Sequence, residues 1–340
     1  MLRHFSNILI SPEPLMVVPY RGFANAERFF LKGRVLEDEG IFKGNNESRL
    51  RNLLDSLRRF ESDEIAGAKL SIQLAGNEYL AETDKEGFFT LNLPWHSPPE
   101  PLENQWISGS VHLLESPAKG AHPAEASSAE LLFPSKNASF GIISDIDDTV
   151  LQTHVTSRFK LKMMYATLFK ASHQRLPMEG TPDLLRALER GLDRLRENPI
   201  FYVSDSPWNI YDLLARFMEV HQLPKGPILL RDYGPHLLLR RAGQAVHKLE
   251  AFRQIMGMYP DLPFVMLGDT ASKDADYYLQ MAEEFDGRVL AIYIRQTRDT
   301  ENARRIAKLI EVNSHIAAVR VNTSAEIWAD ARARGLVSNQ

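Results

Sequence analysis

The stretch that most constrains this chain is residues 140–150, where an apolar run ends in three carboxylates. The run from Phe140 to Ile143 is typical of a buried strand in a parallel sheet. Asp145 and Asp147 follow it two positions apart, so in extended backbone their side chains leave the chain on the same side. Burying several carboxylates is costly unless a cation or a bound ligand compensates their charge. The stretch therefore predicts a divalent-cation site at a strand end, with the oxygen ligands that Mg²⁺ prefers.

The D-x-D pattern by itself is compatible with other kinds of site. A solvated acidic turn after a strand is common, and the metal-binding D-x-D of a sugar-nucleotide transferase fits the same three residues. An EF-hand calcium loop is excluded, because Val150 stands where the turn glycine is needed and Thr156 where the bidentate glutamate is needed. The choice between the remaining interpretations depends on whether the rest of the chain supplies matching groups.

The second half of the chain alternates apolar runs with amphipathic segments. This alternation predicts a parallel sheet flanked by helices. Further strands are predicted at residues 199–203, 226–230, 263–267, 288–294 and 317–321, and helices at 161–169, from Thr181, from Ser206, around Lys248 and after Thr323. Several strands end in groups that suit phosphate chemistry, namely Asp145, Ser204, Arg231 and Asp269. Because the carboxyl ends of parallel strands share one edge, we expect these groups to lie close together.

Residues 1–134 are predicted to form a separate β-sandwich domain, because short strands with turn residues between them favour that architecture. The strand candidates are 29–36, 68–75, 79–83, 87–93 and 106–114, with one amphipathic helix over 50–60. The pattern Thr83-Asp84-x-x-Gly87-Phe88-Phe89 resembles prealbumin-like sandwich modules. Residues 116–128 are poor in apolar bulk and form a loop of the sandwich or part of a linker. The boundary is placed near Pro134, with the second domain over 135–340.

The motifs of the second half follow one another in a known order. A D-x-D-x-T follows the first strand, Ser204 follows the second, Lys248 lies on a later helix, and a G-D-x-x-x-x-D begins at Gly268. This order resembles the haloacid dehalogenase (HAD) superfamily. The resemblance implies a Rossmann-like α/β domain with a parallel sheet and a small or absent cap.

Within that superfamily, the motifs are similar to the catalytic domain of the actin-patch-type phosphatidate phosphatases. The segments that carry the similarity are 144–149 (SDIDDT), 202–208 (YVSDSPW), 230–232 (LRD) and 268–270 (GDT). The leading segments 19–22 (PYRG) and 33–36 (GRVL) resemble the N-terminal region of bacterial members of that family. Two positions depart from the family pattern, Asp205 where Asn is expected and Thr270 where Ser is expected. The extra carboxylate at 205 is expected to alter the preference for metal or head group.

The resemblance implies a phosphomonoesterase that acts through an aspartyl-phosphate intermediate. Asp145 would be the nucleophile, and Asp147 would protonate the leaving oxygen and then deprotonate the hydrolytic water. Lys248 would offset charge on the phosphoryl group and on the nucleophile, although Lys273 is a competitor for this role. Ser204 would donate a hydrogen bond to a phosphoryl oxygen. The other substrate-binding residues would be Thr149, Ser206 and Arg231.

The same resemblance implies Mg²⁺ as the cofactor. Asp145 and Asp269 would hold the ion, together with the backbone carbonyl of Asp147. Asp274 would complete the acidic site, either as a further ligand or by anchoring Lys248.

The segment between the first two motifs, residues 150–199, is short and leaves room for a small cap at most. An open site admits bulky substrates, so the family's substrate, phosphatidate at a membrane surface, is expected to be cleaved to diacylglycerol and phosphate. The apolar stripe at 161–169 is either core or an apolar wall for a lipid tail. Two alternatives remain: a phosphatase for a soluble or macromolecular phosphate ester, and a sandwich-based binding or scaffold protein with an inactive HAD domain.

Composition excludes several classes of site. The chain has no cysteine, which rules out disulfides, thiolate metal sites and thiol nucleophiles. The net charge of −4 gives no general attraction to nucleic acid. No apolar run approaches the roughly 18 residues of a membrane span, and prolines at 12, 14 and 19 make a poor signal peptide. We expect a cytoplasmic protein whose contact with membranes is peripheral and transient; nothing in the sequence indicates an oligomeric state.

Overall fold

The computed structural model describes residues 15–37, 65–97, 99, 105–117, 125–146, 178–231, 244–297 and 300–338. The described residues before 133 form one eight-stranded mixed sheet. Its strands are β1 Leu15–Pro19, β2 Gly22–Ala24, β3 Arg28–Glu37, β4 Lys69–Leu74, β5 Asn77–Glu82, β6 Phe88–Pro94, β7 Trp106–Glu115 and β8 Ser127–Leu132. The order is β1-β3-β2-β8-β7-β4-β5, with β6 paired to β3, and every pair is antiparallel except β2 with β8.

Alternating apolar residues give this sheet one buried face. Leu70, Ile72 and Leu74 of β4 point into the same apolar cluster as Phe29 and Leu31 of β3, as the period of two in a strand requires. All five predicted strands of this region are present. The sequence did not predict β1, β2 or β8, and the predicted helix over 50–60 lies outside the described residues. The likeness to prealbumin modules stays a prediction.

One turn of this sheet shows the local chemistry directly. The carboxylate Oδ1 of Asp84 accepts the backbone N–H groups of Glu86 and Phe88, both at 2.9 Å. Gly87 closes the turn with a φ of +71°, a conformation that strains any residue with a Cβ. The turn predicted between the strands at 79–83 and 87–93 is therefore confirmed.

The second part of the chain contains an all-parallel sheet, as predicted. Its strands are β9 Gly141–Asp145, β10 Ile200–Pro207, β11 Ile228–Arg231, β12 Phe264–Asp269, β13 Val289–Arg295 and β14 Ala318–Val321. The spatial order is β11-β10-β9-β12-β13-β14. The direction of winding reverses at β9, and ligands of open α/β sheets bind beyond the carboxyl ends of the strands at such a point.

Helices cover both faces of the parallel sheet. They are α1 Thr181–Arg190, α2 Tyr211–Val220, α3 Gln244–Met258, α4 Asp274–Glu284, α5 Thr300–Val312 and α6 Ser324–Ala333, with a 3₁₀ turn at Trp208–Ile210. Apolar residues of α1, α2 and α6 pack on one face, and those of α3, α4 and α5 pack on the other. The predicted cap of α6 is confirmed, because the Thr323 hydroxyl accepts the N–H of Glu326 at 3.3 Å.

Two predictions about helices have a different outcome. The helix predicted to follow Ser206 is present as α2, but its predicted start is wrong, because β10 continues to Pro207, a 3₁₀ turn follows and α2 begins at Tyr211. The physical reason is a register shift in β10 after Val203, which lets Pro207 still pair with Arg231 of β11. The helix predicted over 161–169 lies outside the described residues.

Residues 20–25 attach the mixed sheet to the parallel sheet. Tyr20 stacks on Trp208 with ring centroids 4.4 Å apart, and the ring edge of Phe23 meets Phe201 of β10 at 5.6 Å. The Tyr259 hydroxyl donates a hydrogen bond to the carbonyl at residue 24. Strand β8 ends at Leu132 and β9 begins at Gly141; the domain division near Pro134 stays a prediction. No helix among the described residues is long and apolar enough to cross a bilayer.

The contact of Phe23 with the parallel sheet should be measurable as stability. Phe23 is fully buried, so Phe23→Ala is expected to lower the free energy of unfolding by about 3–5 kcal/mol. Leu80 of β5 is 72% exposed, and Leu80→Ala is the control, expected to change the value by less than about 0.5 kcal/mol. Urea unfolding curves measure both. Equal curves for Phe23→Ala and wild type would mean that this contact does not hold the two sheets together.

Candidate active site

Three buried carboxylates meet at the carboxyl edge of the parallel sheet, where the strand order reverses. Asp145 ends β9, Asp269 ends the neighbouring β12, and Asp274 is the first residue of α4. All three side chains are buried, and they offer carboxylate oxygens that lie within 4.8 Å of one another. The expected convergence of the strand ends of β9 and β12 is therefore found. Asp147 and Thr149 lie outside the described residues.

One buried lysine neutralises part of this acidic cluster. The ammonium Nζ of Lys248 in α3 lies 2.8 Å from Asp145 Oδ1 and 2.6 Å from Asp274 Oδ1, and the side chain is 2% exposed. Burial by itself lowers the pKa of an ammonium, but the carboxylates of Asp145 and Asp274 outweigh it and raise the pKa of Lys248 well above its usual value. Lys248 is therefore a fixed positive charge against the strand end. Lys273, the competitor named from the sequence, is exposed.

Asp269 is buried in this cluster beside Asp145 and Asp274. One of its oxygens, Oδ1, accepts the backbone N–H groups of Ala271 and Ser272, the latter at 2.9 Å. Burial, followed by the negative charge of Asp274, nevertheless raises the pKa of Asp269 to about 7. The negative charge of the cluster thus exceeds what the two amides and Lys248 can stabilise.

The residues present fit a bound cation. Asp274 Oδ2 is buried and has no hydrogen-bond partner in the part of the chain that the structure describes, which is costly for a carboxylate oxygen. An ion would give this oxygen a ligand contact, and three carboxylates are the hard donors that Mg²⁺ or Ca²⁺ prefer. The cluster of Asp145, Asp269 and Asp274 can therefore hold a divalent metal.

Close packing of α4 against β12 positions this cluster. A Cβ atom at Gly268 would lie 2.7 Å from Asp274 Oδ2 and 2.8 Å from Tyr278 Cε2, so only glycine lets the helix approach so closely. The buried Tyr278 hydroxyl donates a hydrogen bond of 2.9 Å to the Leu267 carbonyl. The sequence analysis did not single out Tyr278, although its position four residues after Asp274 places both on one face of α4.

The other predicted site residues lie on the β10 and β11 side of the same edge. Residue 203 of β10 pairs with Asp145, so Ser204 stands one position beyond it. Ser204 is buried, and its hydroxyl accepts the N–H of Ser206 at 2.9 Å. Arg231 is buried at the end of β11. The roles of Ser204 and Arg231 in binding substrate stay predictions. The negative charge of Asp205 helps to raise the pKa of Lys248.

The turn after Asp269 is held by residues that the sequence analysis missed. The Thr270 hydroxyl accepts the N–H of Thr297 at 2.8 Å, and the Asn302 side-chain amide donates to the Thr270 carbonyl. Asn302 lies on α5, far along the chain, and no motif surrounds it. A contact of this kind depends on the tertiary fold, so the sequence offers no signal for it.

Comparison with known proteins agrees with the resemblance found in the motifs. Residues 140–296 match the family model described as phosphatidate phosphatase APP1, catalytic domain, so this segment is similar to that catalytic domain. The chain is 27% identical over 248 residues to phosphatidate phosphatase APP1 of Saccharomyces cerevisiae, covering 72% of this chain and 40% of the yeast protein. It is 27% identical over 251 residues to an uncharacterized protein of Schizosaccharomyces pombe, covering 71% of this chain and 39% of that protein. The chain thus spans about two fifths of the length of these relatives.

Similarity to solved structures is low. A Bifidobacterium dentium beta-glucuronidase gives a TM-score of 0.24 at 9% identity, covering 91% of this chain and 52% of the enzyme. A carbohydrate acetylesterase from Xanthomonas citri gives 0.25 at 10% identity, covering 87% of this chain and 72% of that protein. Scores of this size say nothing about the fold or the chemistry of the chain.

The pairing of Lys248 with two acids predicts a large effect on stability. Lys248→Met leaves buried carboxylates without their cation, so in EDTA it is expected to lower the free energy of unfolding by about 3–5 kcal/mol. The matched control is Lys273→Met, which removes an exposed ammonium and is expected to stay within about 0.5 kcal/mol of wild type. Urea unfolding followed by circular dichroism gives both values. If Lys248→Met unfolded at the same urea concentration as wild type, the ammonium would not be what keeps the acids buried.

Proposed function

We propose that this chain is a metal-dependent phosphatidate phosphatase, which hydrolyses the phosphomonoester of phosphatidate to diacylglycerol and inorganic phosphate. One observation carries the proposal. The segment that matches the APP1 catalytic domain, residues 140–296, contains all three acids of the buried cluster together with the lysine that contacts two of them. The family match supplies the substrate class, and the cluster supplies groups suited to phosphoryl transfer.

Asp145 is the proposed nucleophile. Its Oδ2 would attack phosphorus, forming an aspartyl-phosphate as the bond between phosphorus and the glycerol oxygen breaks. The contact of Oδ1 with Lys248 at 2.8 Å favours the ionised carboxylate that this attack requires. The same ammonium would offset negative charge on the phosphoryl oxygens while the bond to the glycerol oxygen breaks and charge shifts to that oxygen.

Asp147 is the proposed general acid and base. It would give a proton to the departing glycerol oxygen, then take one from the water that attacks the aspartyl-phosphate and releases phosphate. Proton transfers of this kind typically contribute about 10²–10⁴-fold to the rate. Ser204 would donate a hydrogen bond to a phosphoryl oxygen, and Thr149, Ser206 and Arg231 would complete substrate binding.

Mg²⁺ is the proposed cofactor. Asp145, Asp269 and Asp274 would hold it, with the backbone carbonyl of Asp147 as a further ligand. When bound, the ion would supply positive charge that balances the carboxylates and the phosphoryl group. The unpartnered Asp274 Oδ2 and the raised pKa of Asp269 support a cation at this place.

The finer description of the fold belongs to the same proposal. The parallel sheet, with its winding reversed at β9 and its acids beyond the carboxyl ends, supports a HAD-like domain over 135–340. The small cap is inferred from the short segment between the first two motifs alone. The strands before residue 133 support a prealbumin-like sandwich over 1–134. An open site under a small cap would suit a lipid head group presented at a membrane surface. We propose a cytoplasmic protein that meets the membrane only transiently.

The nucleophile is tested by phosphate release from phosphatidate vesicles. Asp145→Asn is expected to lower the metal-dependent rate by about 10³-fold or more, and EDTA is expected to abolish the wild-type rate. Asp286→Asn is the matched control, because Asp286 is an exposed acid after α4 and its loss should leave the rate unchanged. An Asp145→Asn variant as active as wild type would remove Asp145 from the mechanism.

The substrate class is tested in the same assay with water-soluble phosphate esters. Release that is fastest on vesicles supports the lipid substrate. Equal dependence on Asp145 with soluble esters alone would keep the chemistry and discard phosphatidate. Release that neither Asp145→Asn nor EDTA reduces would favour a binding role for the chain.

The metal site is tested without turnover. Mg²⁺ at about 100 times its Kd is expected to stabilise the folded wild type by about 2.7 kcal/mol, measured as a rise in Tm. Asp269→Asn removes a proposed ligand and should reduce this rise, while Asp286→Asn should keep it. The same rise in all three proteins would show that Mg²⁺ binds elsewhere.

A further inference from the structure

Arg295 is a buried cation at the same edge of the parallel sheet. It ends β13 and is paired in register with Asp269, the last residue of β12. The residue is 4% exposed. Asp269 contributes no charge interaction to it, and its carboxylate oxygen Oδ1 accepts the N–H groups of Ala271 and Ser272. Arg295 therefore needs another source of negative charge.

Within the described parts of the chain, the hydrogen-bond partners of Arg295 are all neutral. Nη2 donates to the hydroxyl of Ser324 at 2.7 Å and to that of Thr181 at 3.3 Å, and Nη1 approaches the Met178 sulfur at 3.4 Å. Nε is buried without an acceptor, and no carboxylate forms a salt bridge with this guanidinium among the residues that the structure describes. Burial lowers the pKa of Arg295, with no opposing contribution from an acid. Buried arginines are nearly always paired, because an uncompensated buried charge is costly.

The helices around Arg295 make a structural cation there still less favourable. Thr181 is the first residue of α1 and Ser324 is the first residue of α6. The N-terminal end of a helix carries partial positive charge, which repels a guanidinium and attracts an anion. Two helix starts and an arginine thus present positive potential to one place.

Arg288 is an instructive contrast within the same sheet. Its Nη2 donates to the carbonyls of Met256, Tyr259 and Leu262, at 2.6 to 3.0 Å. These carbonyls lie at and after the C-terminal end of α3, where the partial charge is negative. Nε of Arg288 is buried without an acceptor as well, so the contrast lies in the carbonyls at a helix C-terminus, which give the charge of Arg288 a structural explanation that Arg295 lacks. A neutral donor at 295 could tie the two hydroxyls together equally well, so the hydrogen bonds do not account for the charge.

We propose that Arg295 and the first turns of α1 and α6 form a binding subsite for a phosphate-type oxyanion, separate from the acidic cluster. The anion would bind at the guanidinium Nε and complete the charge balance that no carboxylate supplies. Free inorganic phosphate and the phosphate of an esterified ligand share this chemistry. The inference concerns binding alone and does not depend on the proposed hydrolysis.

The test is thermal unfolding in EDTA, with inorganic phosphate compared against chloride at equal ionic strength. Saturating phosphate is expected to raise the Tm of wild type by about 2 °C or more, and Arg295→Gln should lose this rise. Arg305→Gln is the matched control, since Arg305 forms an ion pair with Asp276 at the surface, and it should keep the rise. Lys248→Met should also keep it, because that variant alters only the acidic cluster.

One further variant and one further probe complete the test. Arg295→Lys keeps a positive charge without the planar fork, and it should bind phosphate about tenfold more weakly; it replaces Arg295→Gln if the latter does not fold. Glycerol 3-phosphate in place of phosphate distinguishes an esterified ligand from the free ion. The proposal is overturned if neither probe raises the wild-type Tm in a saturable way. It is also overturned if the rise survives in Arg295→Gln or Arg295→Lys at full strength, or is lost only in Lys248→Met.

Discussion

The compensation of buried carboxylates by Lys248 is the interaction on which the rest of the site depends. Its ammonium contacts Asp145 and Asp274 at hydrogen-bonding distance, and all three side chains are almost fully buried. One ammonium cannot balance three acids, and burial, followed by the negative charge of Asp274, raises the pKa of Asp269. Lys248 therefore holds the cluster together, but the cluster keeps an excess of negative charge. This excess is what a divalent ion would correct, and the three acids are placed so that they could hold one.

The sheet makes this concentration of charge tolerable by anchoring it in two apolar layers. Strands β9 and β12 are buried on both faces, between clusters contributed by helices on either side. Their burial fixes the backbone at the edge where Asp145 and Asp269 emerge. Gly268 then lets α4 approach closely enough to bring Asp274 into the cluster. Local flexibility at this edge would separate the acids, so the precision of the site comes from the packing below it.

Sequence reasoning succeeded where a signal was local and periodic. The runs before Asp145 and Asp269 are continuous and apolar, which is the pattern of a strand buried on both faces, and their positions followed directly. The start of α2 was wrong because Ser206 and Pro207 read as a helix start, while tertiary pairing with β11 keeps them extended. Asn302 and Arg295 carry no motif, and only the folded sheet brings them to the edge. Lys248 could be proposed from motif order, but its contacts with Asp145 and Asp274 are properties of the packed helices.

Two buried cations lie at this edge, and they differ in whether acids of the described chain balance their charge. Lys248 is held by acids from the chain itself, and its charge is balanced by Asp145 and Asp274. Arg295 lies one strand beyond Asp269, at the starts of two helices, with hydroxyls and a thioether as partners. A guanidinium buried in a positive potential is energetically unfavourable unless an anion binds beside it. This edge of the sheet holds carboxylates that lack a cation and an arginine that lacks an anion. It is therefore suited to bind a metal and a phosphate together.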